Sequence, residues 1–206
     1  MFMTKTKSLI LIALTVALAA CQATPDRDER AEIVDHAQVE LKRMKEKDPQ
    51  LEPLLDDCAG YAVFPEVGKG GLLFAGAFGR GAVYDSDGEF LGYASVSQVS
   101  VGGVVGGQSY AQLLVFQDQA RLDDFMRGNG VRFGSQASAV AVTDGAANAS
   151  EYDNGVAVFI MPRAGLMADA SLSGQEFKFV RAEEAEKDMN DRANDRASAD
   201  NRDDDD

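Results

Sequence analysis

The chain is poor in the residues that most often do chemistry. It has one histidine, His36, and two cysteines, Cys21 and Cys58, in 206 residues. One histidine and two distant cysteines leave no H-E-x-x-H helix and no cysteine pair to close a zinc site. G-x-S-x-G is absent too, so no nucleophile elbow is present. Ser135, in FGSQAS, has no acid–histidine partner in view and suits a strand of small residues. The chain is also short of positive charge, with 20 basic against 34 acidic residues. Duplex nucleic acid, which is bound by basic patches that displace counterions, is therefore not an expected partner.

No apolar run is long enough to span a bilayer as a helix, which takes about 20 residues. The longest, Leu9 to Ala20, follows Lys5 and Lys7 and ends in small residues, the pattern of a secretory leader. Its last residues, LAAC from Leu18 to Cys21, match the lipobox of bacterial lipoproteins, in which the cysteine becomes the acylated first residue. The expectation is a signal peptide over 1–20 and a lipid anchor, with palmitate or a similar acyl chain, on Cys21. Two or more acyl chains hold a protein firmly where one holds it marginally. Gln22 follows where an aspartate would favour inner-membrane retention, so the expected location is the periplasmic face of the outer membrane.

With Cys21 acylated, Cys58 has no disulfide partner. It reads as a small buried hydrophobe, and its neighbours Asp56 and Asp57 would raise rather than lower a thiol pKa. His36 sits at the margin of a helical apolar face and reads as a boundary residue. DSDG, Asp85 to Gly88, lacks the glutamate that completes a calcium loop and reads as a turn. No catalytic residue, metal site or cofactor is expected.

What remains is punctuated by glycine and rich in alternating small and apolar residues. After a polar tether over 21–28, RAEIVDHAQVELKRMKEK places Ile33, Ala37, Leu41 and Met44 on one helical face, up to Asp48-Pro49. LEPLLDDC allows a short second helix. From Gly60 to about Val180 the pattern is of antiparallel strands, with a hairpin at Asp87-Gly88. GVAVFIMP, GLMADASLSG and QEFKFV read as separate strands, and VRFGSQASAVAVT as another. One internal helix is expected over QDQARLDDFMRGNG, with Leu122, Phe125 and Met126 inward. The tail over 182–206, with eleven acidic and four basic residues, is expected to be disordered after a turn or two of helix.

FPEVGKGGLLFAGAFGRGAVYD, Phe64 to Asp85, poses the main question. As a phosphate loop it fails, because Gly70 follows Lys69 where a hydroxyl is needed and no helix follows. Glycines in a strand mark bends, bulges or close approach of another backbone, and SVGGVVGGQSY repeats the pattern. The expected fold is α+β: a strongly bent antiparallel sheet, barrel-like, packed by an N-terminal amphipathic helix and one internal helix.

GYAVFPEVGKGGLLFAGAFGRGAVY, GYASVSQVSVGGVVGGQSYAQLLVF, FGSQASAVAV and GLMADASLSGQEFKF, in that order, resemble the successive blocks of the SYLF domain. The resemblance covers roughly Glu29 to Val180, within a SYLF-like domain over 29–181. It implies a lipid-binding module of helix and strand. Eukaryotic relatives contact phosphoinositide membranes and actin; bacterial relatives are small exported lipoproteins. With no adaptor domain and an export leader, this chain is not expected to meet actin. Membrane lipids, anionic phospholipid among them, are the expected partners, and protein partners are unassigned.

Relatives that bind phosphoinositides use an N-terminal amphipathic segment and basic residues. The matching candidates here are Lys42, Arg43, Lys45 and Lys47 in LKRMKEK, with Lys69 and Arg80 flanking the glycine-rich strand. Basic groups near an anionic surface contribute about 1 kcal/mol each, so the four on the helix matter only if they face one way. The function expected is non-catalytic lipid binding in the cell envelope. The rival reading is a structural or protein-interaction lipoprotein whose only lipid contact is its anchor.

Overall fold

The structure is a computed structural model that describes residues 27–128, 140–141, 147, 152–188 and 190–191. Residues 1–20, expected as a leader, the LAAC motif with Cys21, and Ser135 lie outside the described residues. The chain runs α1 (Arg27–Lys47), α2 (Leu51–Asp56), β1 (Gly60–Asp85), β2 (Phe90–Phe116), α3 (Gln119–Met126), β3 (Val140–Ala141) and β4 (Val156–Arg181), and the sheet order is β1-β2-β4-β3.

Three strands of 26 or 27 residues dominate. β1 pairs antiparallel with β2 from Gly60↔Phe116 to Tyr84↔Phe90, and β2 with β4 from Gly92↔Arg181 to Phe116↔Val156. The three apolar segments expected as separate strands after Gly155 are thus one strand, β4. β3 adds a short parallel pair, Val140↔Phe159 and Ala141↔Ile160.

The long strands are doubled over at mid-length. The carbonyl of Val63 comes so near Gly81 that a Cβ there would lie 2.3 Å from it, and a Cβ on Gly79 would lie 2.7 Å from Val67 Cγ2. Each strand therefore contributes to two layers: a near half (β1 60–72, β2 105–116, β4 156–168) and a far half (β1 74–85, β2 90–101, β4 172–181). A register shift between Leu72 and Phe74 marks the fold in β1. The sheet is bent without closing into a barrel.

Two cores follow from the doubling. Between the halves, Ala62, Phe64, Val67 and Leu114 meet Ala77, Val96 and Phe177, and α3 closes one end with Leu122 and Phe125. Phe64 and Phe177 rings lie 5.6 Å apart, and Phe125 reaches both Phe116 and Phe177. Outside the near half, Val63, Leu113, Val115 and Phe159 are covered by Ile33, Ala37 and Met44 of α1 and by Leu51 and Leu55 of α2. The near half is buried on both faces, which is why YAVF, LLVF and VAVFI read as continuous apolar runs. Each fully buried Leu, Met or Phe there contributes about 1.5–3 kcal/mol of transfer free energy.

Local signals end the elements. Asp85 Oδ1 accepts from the backbone N–H of Asp87 and of Glu89, and Gly88 takes φ 79°, so DSDG is the turn between β1 and β2. Asp118 caps α3 by accepting from Arg121 N at 3.0 Å. Asp48, wholly buried at the end of α1, accepts from the N–H of Gln50 and from Ala147 N at 2.7 Å, tying the helix corner to a segment 99 residues away. Helical turns continue over 182–188, where Arg30 Nη1 donates to the carbonyl of buried Ala185 at 2.7 Å.

Candidate functional site

The outer face of the far half is covered by α1 at Ala82 and Tyr84 but is open around Phe78 and Val99. Gly76 pairs with Val99 and Phe78 with Ser97, while Ala77 and Gln98 between them are buried, so Val99 and Phe78 project outward as diagonal neighbours. Val99 is 70% and Phe78 38% exposed. Arg80 stands beside them, its guanidinium carbon 5.6 Å from the Phe78 ring centroid, and it pairs with Glu29 at the start of α1. The same strands run on into the fold, where backbone register brings Leu72 to Val105, and Phe74 and Leu172 both to Val101. Lys69, half-buried opposite Gln108, lies three residues before Leu72. Phe78 and Val99 were not among the residues that sequence reasoning singled out. Their signal was alternation: each is an apolar residue on the strand face opposite buried Ala77 and Gln98.

The four basic residues of α1 do not share a face. The buried stripe of the helix is Ile33, Ala37, Glu40 and Met44, with Arg30 and Asp48 at its ends. Lys42 points away from the domain, 79% exposed, with Glu46 at 4.0 Å. Lys45 turns to one flank and meets Glu52 of α2 at 3.2 Å. Arg43 and Lys47 lie on the opposite flank and line a groove of 770 Å³ between α1 and the near half of the sheet.

Two irregularities in the strands shape that groove. Between Phe64↔Gln112 and Val67↔Tyr110, β1 carries Pro65 and Glu66 against the single residue Ala111, a β-bulge. At the same level β4 carries Arg163 as an extra residue between Pro162 and Ala164. Proline has no N–H to give a ladder, so both prolines sit where the ladder breaks. Arg163 Nη1 donates to the carbonyl of Pro65 at 2.9 Å and lies 3.8 Å from Glu66. Glu40, 2% exposed, forms part of the groove wall: its Oε2 accepts from Arg43 at 3.3 Å, while Oε1 has no hydrogen-bond partner among the described residues. Glu40, Glu66 and Arg163 were missed from sequence. The available signal was Pro65 and Pro162 inside strand patterns.

Between the halves lies a buried polar cluster. Gln112 Nε2 donates to Gln175 Oε1 at 3.0 Å, and Gln175 Nε2 donates to Gln98 Oε1 at 3.1 Å. Tyr110 adds its hydroxyl to Gln175; burial still pushes this phenol up to about 12. Elsewhere Cys58 is buried, its Sγ–H directed at the Leu55 carbonyl, and burial pushes the thiol up, with Asp56 and Asp57 adding to the shift. That is the inert buried hydrophobe the sequence implied. His36 is exposed, 3.8 Å from Glu32. Among the described residues no group of three or more His, Cys, Asp or Glu side chains is placed to hold a metal ion.

Comparison with known proteins gives two likenesses. A family described as "Ysc84: Las17-binding protein actin regulator" matches residues 97–193, from the far half of β2 to beyond β4. This is the SYLF family. Residues 97–193 of this chain are similar to it. Beta cell expansion factor A of Aeromonas veronii is 28% identical over 151 residues, which is 73% of this chain and 57% of the relative. The chain thus spans little more than half the length of that relative. Val99, Ser109 and Arg163 fall inside the matched span of the SYLF domain, while Glu40, Arg43, Lys47 and Phe78 precede it. The match to the SYLF model favours a non-enzymatic domain.

Proposed function

We propose that this protein is a non-catalytic lipid-binding lipoprotein of the bacterial cell envelope, anchored through Cys21 on the periplasmic face of the outer membrane. Its SYLF domain contacts phospholipid with the outer face and folded end of the far half. The observation that carries this reading is the exposure of Val99 at 70% and Phe78 at 38% on one sheet face, with Arg80 beside Phe78. Exposed apolar side chains beside a cation suit the headgroup–acyl boundary of an anionic bilayer. Actin, named in the family's description, is not proposed as a partner, because the leader and LAAC motif expect an exported protein.

The test is vesicle flotation of the protein starting after Cys21. It is expected to float with anionic vesicles, and Val99→Asp with Phe78→Asp is expected to abolish flotation while leaving the far-ultraviolet circular dichroism unchanged. Wild-type protein that floats with neither neutral nor anionic vesicles overturns the reading. A second reading has its own support: among the described residues, β4 from Met161 to Arg181 has no strand along its outer edge, β3 pairing only at Phe159 and Ile160. Such an edge can accept a strand from a protein partner. It gains if flotation fails.

A further inference from the structure

We propose that the groove between α1 and the bulged strands binds a zwitterionic aminoalkyl phosphate, a primary ammonium beside a phosphate as in phosphoethanolamine. The first observation is the orphan oxygen. Glu40 is 2% exposed and its Oε1 has no partner among the described residues, yet the residue lines the groove. A buried acceptor left unpaired is costly, so this oxygen calls for a donor arriving from the groove. The second is the set of cations at the rim. Arg43, Lys47 and Arg163 line the groove, and Lys47 makes no ion pair among the described residues. Bulges aim Arg163 and Glu66 into it, and bulges recur where a strand must redirect a side chain toward a site.

The charges select the ligand class. A simple anion would meet Glu40, Glu46 and Glu66 as well as the three cations, and a simple cation would meet the reverse. A group with both charges pairs each with its complement: ammonium N–H to Glu40 Oε1, phosphate oxygens to Lys47 and Arg43. Ser109 at the wall supplies a hydroxyl. A quaternary ammonium has no N–H for Oε1, so phosphocholine is discriminated against. At 770 Å³ the groove accommodates a headgroup together with its glycerol.

Calorimetric titration of the detergent-solubilised mature chain tests this with phosphoethanolamine, phosphocholine, ethanolamine and inorganic phosphate as probes. Phosphoethanolamine is expected to bind about tenfold or more tightly than each of the other three. Glu40→Gln is expected to remove about that tenfold preference over phosphocholine, and Lys47→Ala, a solvent-facing change that leaves the core intact, to weaken binding to a similar degree, with Lys47→Arg restoring it. Short-chain phosphatidylethanolamine separates the sources: tighter binding than free phosphoethanolamine assigns the groove to a lipid headgroup, equal binding to a soluble aminoalkyl phosphate. Equal affinity for phosphocholine, or binding untouched by both Glu40→Gln and Lys47→Ala, overturns the proposal. Neither Val99 nor Phe78 lines the groove, so Glu40→Gln and the paired Val99→Asp and Phe78→Asp changes test this result and the vesicle result separately.

Discussion

At Gly81 only a hydrogen fits. An added Cβ would lie 2.3 Å from the Val63 carbonyl and 2.8 Å from Phe64 Cδ1, both fixed parts of the doubled strand. Gly81→Ala is expected to cost about 3 kcal/mol in urea unfolding, since backbone must move to admit a methyl group. Gly68 has nothing within 4 Å of the same ideal position. Gly68→Ala is expected to be neutral or to stabilise by about 0.5–1 kcal/mol. Equal effects at the two sites would show that Gly81 does not mark the contact between the halves. The meaning of the glycines as a class was readable: bends and close approaches rather than a phosphate loop. Which glycine does which was not, because the contact of residue 81 with residue 63 depends on a fold-back that leaves no local trace. The same holds for charge. LKRMKEK looked like one cluster, but at 100° per residue its basic groups point to three sides of α1, and only Arg43 and Lys47 share one.

Among elements, the strands were the most readable part and their continuity the least. Alternation and turn residues located β1 and β2 closely, yet β4 looked like three strands because Pro162 and Gly165 resemble stops. A bulge absorbs the proline, and pairing with β2 carries the strand past both. The amphipathic pattern of α1 gave its buried face apart from Glu40, an acidic residue that hydrophobic periodicity passes over. To the apolar contacts that join the two halves a polar link is added: Gln112 of the near half is bonded to Gln175 of the far half, which is bonded to Gln98. Gln112 is fully buried, so Gln112→Leu keeps the volume but strips Gln175 of a partner. A loss of about 1–3 kcal/mol is expected, read as a lower urea midpoint with an unchanged slope. No loss would mean that the glutamines are passive filling and the aromatic contacts alone register the halves.

For the molecule as a whole, its five tyrosines report on both cores at once. Burial raises the phenol of each of Tyr61, Tyr84, Tyr93, Tyr110 and Tyr152 above the ordinary value of 10. Tyr84, on the α1 side, and Tyr110, between the halves, are both pushed up to about 12. A phenol is neutral when protonated, so a folded-state pKa above the unfolded one means that the native state holds its proton longer. The stability these two groups contribute is therefore complete below pH 10, and it is lost as pH climbs from 10 toward 12. Both residues are almost fully buried, and each loss is on the order of 2–3 kcal/mol. Such a sum is a large share of the 5–15 kcal/mol that holds a typical domain together. The protein is thus expected to form little phenolate near pH 10 in buffer, then to titrate and unfold in one step above it, whereas in concentrated urea the tyrosines should titrate around 10. Absorbance of phenolate and far-ultraviolet circular dichroism, followed together against pH, provide the check. Phenolate appearing near pH 10 with the circular dichroism intact would show that water reaches these hydroxyls in the native state, and that the doubled sheet is looser than the packing of α1 and α3 against it implies.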